Sequence, residues 1–143
     1  MLLSKKLLRL IERNADELTK KWISEVRTRE DLPTYHTYDE RQLYKRAFSV
    51  YSQLGKWLSK DTTKSDIARQ YVALGKRRRK EGFALAEVLQ ALIITRRILW
   101  FKVQSDGFLD DIINLRAGMD LNNSVVLFFD RALYFVAKGY EKD

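Results

Sequence analysis

Three charged residues, Arg78, Arg96 and Asp130, occupy positions where the helical pattern of the sequence favours apolar side chains. Burying an unpaired guanidinium or carboxylate is costly, so each group needs an opposite charge, an opening to water or an interface. If the last two predicted helices run antiparallel around Asp106 and Gly107, Asp130 lies beside the end of the helix that carries Arg78. The sequence therefore predicts a partly buried Arg78–Asp130 ion pair.

Arg96 has two interpretations. The same antiparallel arrangement places it level with residues near 117, so its nearest polar candidates are Asp120 and the Asn122–Asn123 pair. Arg96 then makes a structural polar contact or a subunit contact. Alternatively it lines a pocket together with Trp100 and meets an anionic ligand. On that second interpretation the candidate polar switch or ligand pocket consists of Arg78, Arg96, Trp100 and Asp130.

Residues 76–80 form the most basic run of the chain, Lys76, Arg77, Arg78, Arg79 and Lys80. The net charge is +8, and without these five cations it would be +3, so the basicity is mostly local. Cations near the C-terminal end of a helix are favoured by the helix dipole, which explains the run without any partner. An acidic protein partner is the next interpretation. Nucleic acid is disfavoured, because binding it needs base-reading side chains or an exposed aromatic platform as well as charge.

Several kinds of catalytic and metal chemistry lack the residues they require. His36 is the only histidine and lies in a predicted loop, and the chain has no cysteine. A zinc site of ordinary type, a haem held by a helical histidine, and a serine or cysteine triad are therefore not expected. No glycine-rich phosphate loop is present. We expect a protein that is not an enzyme and holds no metal or cofactor.

Apolar periodicity predicts an all-α domain of five helices, which must position these charged residues. A chain of 143 residues is long enough for one such domain with its own core. Asn14 and Asp16 favour a kink in the first helix, and residues 29–38 form the longest predicted loop. Capping boxes are predicted at Thr37–Glu40 and at Thr63–Asp66. The five helices cover about residues 4–28, 37–59, 64–81, 84–103 and 108–138.

The fourth and fifth helices carry the most informative faces. The fourth is apolar over more than half its circumference, which predicts a central position; its polar side holds Glu87, Gln90, Thr95, Arg97 and Lys102. The fifth is apolar on two sides. The inward stripe is predicted to be Ile112, Leu115, Met119, Val126, Phe129 and Leu133. The second face, which we assign to a two-fold homodimer, consists of Val125, Phe128, Ala132 and Phe135.

No apolar run approaches the length of a membrane-spanning helix, and the N-terminus lacks the continuous apolar region and cleavage site of a signal peptide. We therefore expect a cytoplasmic protein.

A set of residues resembles a known family. Trp22, Pro33, the pattern Leu74-Gly75-x-x-Arg78-x-x-x-Gly82, the pair Arg96-Arg97, and Asp130 with Tyr140 are similar to the N-terminal sensory domain of RsbR-type stressosome co-antagonists. The resemblance spans about residues 8–140. It implies a dimeric, globin-like helical fold without haem, which acts as the input module of a signalling protein. In that family the last helix leads into an output domain, STAS or kinase.

The leading prediction is thus a non-catalytic sensory or regulatory domain that dimerises through its last helix and relays a signal to an output domain or partner. Two alternatives stay open. One is a basic helical protein associated with nucleic acid through residues 76–80. The other is a purely structural dimerisation domain without a ligand.

Overall fold

The computed structural model describes residues 5–106 and 112–142, and within these residues every regular element is a helix. The predicted all-α class is confirmed. The helices are α1 (Lys5–Arg13), α2 (Ala15–Thr28), α3 (Pro33–Thr37), α4 (Glu40–Ser52), α5 (Leu54–Leu58), α6 (Lys64–Lys80), α7 (Leu85–Ser105) and α8 (Ile112–Glu141).

The described residues thus contain eight helices where five were predicted, because two predicted helices are broken and one loop is partly helical. The predicted break near Asn14 is confirmed: its Nδ2 donates to the Leu10 carbonyl at 2.7 Å, and such local bonds compete with the helical ladder. Gln53 separates α4 from α5 with φ −115° and ψ 22°. Pro33 begins the one-turn α3 inside the predicted loop, where its fixed φ suits the first helical position. The predicted start of the last helix, 108–111, lies outside the described residues.

Of the two predicted capping boxes, one is formed. At α6 the capping box is confirmed, since Thr63 Oγ1 accepts from the Asp66 N–H at 3.1 Å and Asp66 Oδ2 accepts from the Thr63 N–H at 2.9 Å. Gly82 follows α6 with φ +96°, the left-handed conformation that favours glycine. The Thr37–Glu40 capping box is wrong: Thr37 ends α3, and the Asp39 side chain caps α4.

The core is built around α7 and around a close crossing of α6 with α8. α7 contacts α2 on one side and α8 on another, as its central position predicted, and Trp22 Nε1 donates to the Ala91 carbonyl at 3.1 Å. At the α6–α8 crossing, a Cβ added to Gly75 would lie 2.3 Å from the Val136 carbonyl oxygen. One added to Gly139 would lie 2.3 Å from the Val72 carbonyl oxygen. The two backbones can approach this closely only because both positions are glycine.

The assignment of the two apolar faces of α8 was wrong. Val125, Phe128 and Ala132, predicted to form the dimer face, are buried in the chain's own core, and Phe135 is half-buried against that core. The crossing at Gly139 decides this, because turning that glycine toward α6 turns Val125 and Ala132 inward as well. Of the stripe predicted to point inward, only Phe129 is buried; Val126 and Leu133 are half-buried, and the remaining members, Ile112, Leu115 and Met119, are exposed.

Over residues 5–106 and 112–142, none of the helices combines the length and the apolar character that crossing a membrane would require.

Candidate functional site

A cavity of about 60 Å³ lies inside the bundle where α2, α4, α6 and α7 face one another. Its walls are mostly apolar and include Leu43, Val50, Leu74, Val88 and Leu92. Polar side chains also line it: the arginines Arg46 and Arg78, the tyrosines Tyr35 and Tyr71, and Thr95, whose hydroxyl donates to the Ala91 carbonyl. A cavity holds one water in about 10–15 Å³ by this measure, so there is room for several atoms.

Arg78 enters this cavity from the last turn of α6, and the prediction that it points inward is confirmed. The residue is only 7% exposed. Its Nη1 donates to Glu81 Oε1 at 3.2 Å, and among the described residues its other N–H groups have no hydrogen-bond acceptor. Burial, followed by the nearby charge of Arg46, lowers the pKa of Arg78. A guanidinium has five N–H donors, so most of the hydrogen-bonding capacity of Arg78 is unused.

Arg46 and Arg78 share a single carboxylate. Arg46 binds Glu81 through two hydrogen bonds, Nη1 to Oε1 at 3.0 Å and Nη2 to Oε2 at 2.7 Å, and its guanidinium also lies over the Tyr38 ring. Burial of Glu81 opposes its ionisation, but the hydrogen bond from Arg46 and the charge of Arg78 outweigh it and lower the pKa of Glu81. Two arginines and one glutamate meet in this cluster, and a second glutamate, Glu87, lies close enough to act electrostatically on Tyr35 in the same cavity.

Tyr35 and Tyr71 bring two hydroxyl groups into the same region. Both residues are almost completely buried, and burial raises the pKa of each phenol above its usual value. Within the part of the chain that the structure describes, neither hydroxyl has a hydrogen-bond partner, although Tyr51 and Tyr140 each donate to a backbone carbonyl. Over the described residues, the only fully buried side-chain N or O atom without a hydrogen-bond partner is Arg27 Nε. The hydroxyls of Tyr35 and Tyr71 are therefore within reach of solvent in the cavity, where water or another occupant can satisfy them.

Glu87 supports the cavity from α7, although the sequence placed it on the outer polar side of that helix. It is buried and accepts from the Thr34 N–H and the Thr34 hydroxyl, both at 2.8 Å, and from the Ala84 N–H at 3.2 Å. Its carboxylate thus caps the N-terminal end of α7. Through Thr34 it also holds α3, which carries Tyr35, beside the cavity. Thr95, placed on the same outer side, is buried as well.

The predicted Arg78–Asp130 ion pair is not formed. Asp130 lies on an exposed side of α8, 61% exposed at its side chain, and its Oδ1 is 3.8 Å from Arg96 Nη1. The contact with Arg96 of α7 shows that the register of α8 against α7 differs from the predicted one, which had placed Asp130 beside the end of α6.

Arg96 and Trp100 line a groove of about 200 Å³ on the surface between α7 and α8, with Ile93, Arg97, Asn122 and Val126. Of the polar neighbours predicted for Arg96, Asn122 is present in this groove. Neither Arg96 nor Trp100 lines the cavity that holds Arg78. The predicted set of Arg78, Arg96, Trp100 and Asp130 is therefore divided between two places.

The basic run at 76–80 has several separate roles. Arg79 Nη1 donates to the carbonyls of Tyr140 and Lys142, at 2.8 and 3.2 Å, so it caps the C-terminal end of α8. Lys76, Arg77 and Lys80 are exposed.

His36 is exposed on α3, with Nε2 2.7 Å from the Arg29 carbonyl oxygen, which agrees with its predicted surface position. Over the residues that the structure describes, no three histidine, aspartate or glutamate side chains are arranged to hold a metal ion.

Sequence reasoning missed most of the polar residues at the cavity, namely Tyr35, Arg46, Tyr71, Glu81 and Glu87. One signal was present: Glu81 follows Arg78 by three residues, a spacing at which side chains meet on a helix.

No protein-family model, curated protein or solved structure matches the chain. The resemblance to RsbR-type sensory domains therefore stays a prediction that depends on the residues quoted above.

Proposed function

We propose that this chain is a non-catalytic sensory or regulatory domain of a bacterial signalling protein, which dimerises and relays a signal to an output domain or partner. A globin-like arrangement without haem and a cytoplasmic location belong to the same proposal. The observation that carries it is an apolar surface on α7 and α8 that the rest of the described chain covers only in part.

This α7–α8 surface consists of Ile93 and Trp100 on α7 and Leu115, Met119 and Val126 on α8. Met119 is 56% exposed and Leu115 is 40% exposed. Ile93, Trp100 and Val126 line one groove, which joins the two helices into a continuous face. Contiguous apolar surface of this kind usually marks an interaction site.

A second copy of the chain is the partner that we propose for the α7–α8 surface. Both signs of charge lie at its edge, with Arg96 beside Asp130 at 3.8 Å and the exposed Arg97 nearby. A face with both signs can be complementary to itself, which a two-fold interface requires. The same helix α8 also contacts α6 next to Arg78, so a change near the cavity can alter the position of the dimerising helix.

Sedimentation equilibrium of wild type and two matched variants tests this proposal. We expect the wild type to be a dimer at micromolar concentration. Met119→Glu should raise the dimer Kd at least about tenfold, because a tenfold change in Kd corresponds to a loss of only about 1.4 kcal/mol of packing energy. Leu127→Glu is the control, because Leu127, at 50% exposure, is about as accessible as Met119, at 56%, but lies on another side of α8. A wild-type monomer at about 100 µM, or a dimer broken only by Leu127→Glu, would contradict the proposal.

The alternatives are less well supported. A nucleic-acid surface at 76–80 would have to use Lys76, Arg77 and Lys80, because Arg78 is buried and Arg79 is bonded to the end of α8. A purely structural dimerisation domain gives no reason for the shared carboxylate and unpartnered hydroxyls at the cavity.

A further inference from the structure

We propose that the cavity between α2, α4, α6 and α7 is a binding site for a short-chain monocarboxylate, of the size of acetate or propionate. This deepens the proposed function by naming the chemical class of the signal. Binding to the chain can be measured whether or not the chain dimerises, so the two proposals can fail separately.

The first reason is the charge at the cavity wall. Arg46 and Arg78 share the carboxylate of Glu81, and Arg78, which is only 7% exposed, makes a single hydrogen bond to it. Arg46 uses both terminal nitrogens on Glu81, whereas Arg78 uses one. The remaining N–H groups of Arg78 match the two oxygens of a carboxylate, the acceptor whose planar geometry best fits a guanidinium.

The second reason is the pair of hydroxyl groups. Tyr35 and Tyr71 line the cavity, and neither hydroxyl has an acceptor among residues 5–106 and 112–142, so both can donate to a molecule in the cavity. A carboxylate has about four lone-pair sites, enough to accept from Arg78 and from a hydroxyl together. The ligand would thus satisfy donors that the fold itself leaves unpaired.

The third reason is the size and polarity of the remaining wall. Leu43, Val50, Leu74 and Val88 offer no hydrogen bonds, so they suit a hydrocarbon tail better than the further oxygens of phosphate. A dry cavity of about 150 Å³ accommodates benzene. The present cavity, at about 60 Å³, therefore suits a ligand of roughly two to five heavy atoms.

The chain contains its own reporter for binding. It has three tryptophans, and Trp22 lines the cavity whereas Trp57 and Trp100 do not. In two-dimensional ¹H–¹⁵N NMR, the three indole N–H signals can be assigned with Trp57→Phe and Trp100→Phe. We expect sodium propionate to shift the Trp22 signal saturably, with a Kd on the order of millimolar, as is usual for so small a ligand.

Matched ligands and variants separate this site from general salt effects. Propionamide, the neutral analogue, and sodium chloride at equal ionic strength should leave the Trp22 signal in place. Arg78→Gln should weaken propionate binding by about tenfold or more, and Tyr71→Phe by about threefold or more. Arg77→Gln, the exposed neighbouring arginine, should keep the Kd within about twofold.

Several results would overturn the proposal. One is no saturable Trp22 shift up to about 100 mM propionate, which would leave a cavity that holds only water. Another is binding of phosphate or bicarbonate as tight as that of propionate, which would make it a site for inorganic oxyanions. If Arg78→Gln does not fold, Tyr35→Phe and Tyr71→Phe decide, and unchanged affinity in both would contradict the assignment.

Discussion

Replacing Gly75 with alanine tests the helix crossing on which the core depends. The added Cβ would lie 2.3 Å from the Val136 carbonyl oxygen and 3.2 Å from the Gly139 Cα, where ordinary contact begins at 3.4 Å. α6 and α8 would therefore have to separate locally by about 1 Å, and the atoms in conflict are backbone atoms that cannot turn away.

Two opposing effects set the size of the change. Alanine in place of glycine stabilises an open helical position by about 0.5–1 kcal/mol. Overpacking of a close-packed core costs about 1–3 kcal/mol and occasionally more, and rigid neighbours place this site at the upper end. We expect Gly75→Ala to lower the free energy of unfolding by about 2 kcal/mol. Near 150 residues this corresponds to a Tm lower by about 4–8 °C.

Thermal and urea unfolding, followed by circular dichroism, measure this change. Gly55→Ala is the control, because the one tight contact of its added Cβ would be with Glu12 Oε2, at 3.1 Å, which is the end of a flexible side chain; its stability should stay within about 1 kcal/mol of wild type. Gly139→Ala should resemble Gly75→Ala, and the double variant should cost less than the two together, since both act on one crossing. A Gly75→Ala variant about 1 kcal/mol more stable than wild type would refute the reasoning.

Three further predictions concern the polar groups. Glu87→Gln should lower the free energy of unfolding by about 1–3 kcal/mol, because a neutral amide replaces a buried carboxylate that accepts hydrogen bonds from Thr34 and Ala84. Urea titration measures this change, and an unchanged unfolding midpoint would contradict that role of Glu87. The pKa of Glu81 is lowered in the folded protein. The contribution of Glu81 to stability is therefore present above the unfolded pKa of about 4.3 and is lost as the pH falls through the folded pKa. In Glu81→Gln, the free energy of unfolding should consequently fall less steeply as the pH is lowered. Tyr71→Phe in carboxylate-free buffer should leave the Tm within about 2 °C of wild type, because its hydroxyl makes no hydrogen bond to the described residues, and a clearly lower Tm would contradict that reading.

Local signals allowed much of the fold to be predicted. The Thr63–Asp66 capping box and the break at Asn14 depend on neighbouring residues, and both are present. The inward position of Arg78 followed from helical periodicity. Each is determined within one or two helical turns, which is the range that a sequence pattern reports directly.

The faces of α8 could not be predicted from hydrophobicity, because the helix is apolar on two sides. The better signal was side-chain size. Gly118, Val125, Ala132 and Gly139 recur every seven residues and are all buried, so the small residues mark the side on which another helix approaches closely. The role of Glu87 was hidden for a related reason, since its partner Thr34 is fifty-three residues away and only tertiary packing brings the two together.

The most direct test of a sensory domain is the dimerisation constant, measured by sedimentation equilibrium without propionate and with propionate at a concentration that saturates the Trp22 signal. Coupling between two sites in one protein is typically worth about 1–3 kcal/mol. We therefore predict that propionate changes the dimer Kd by at least about fivefold. The same dimer Kd with and without bound propionate would contradict the account.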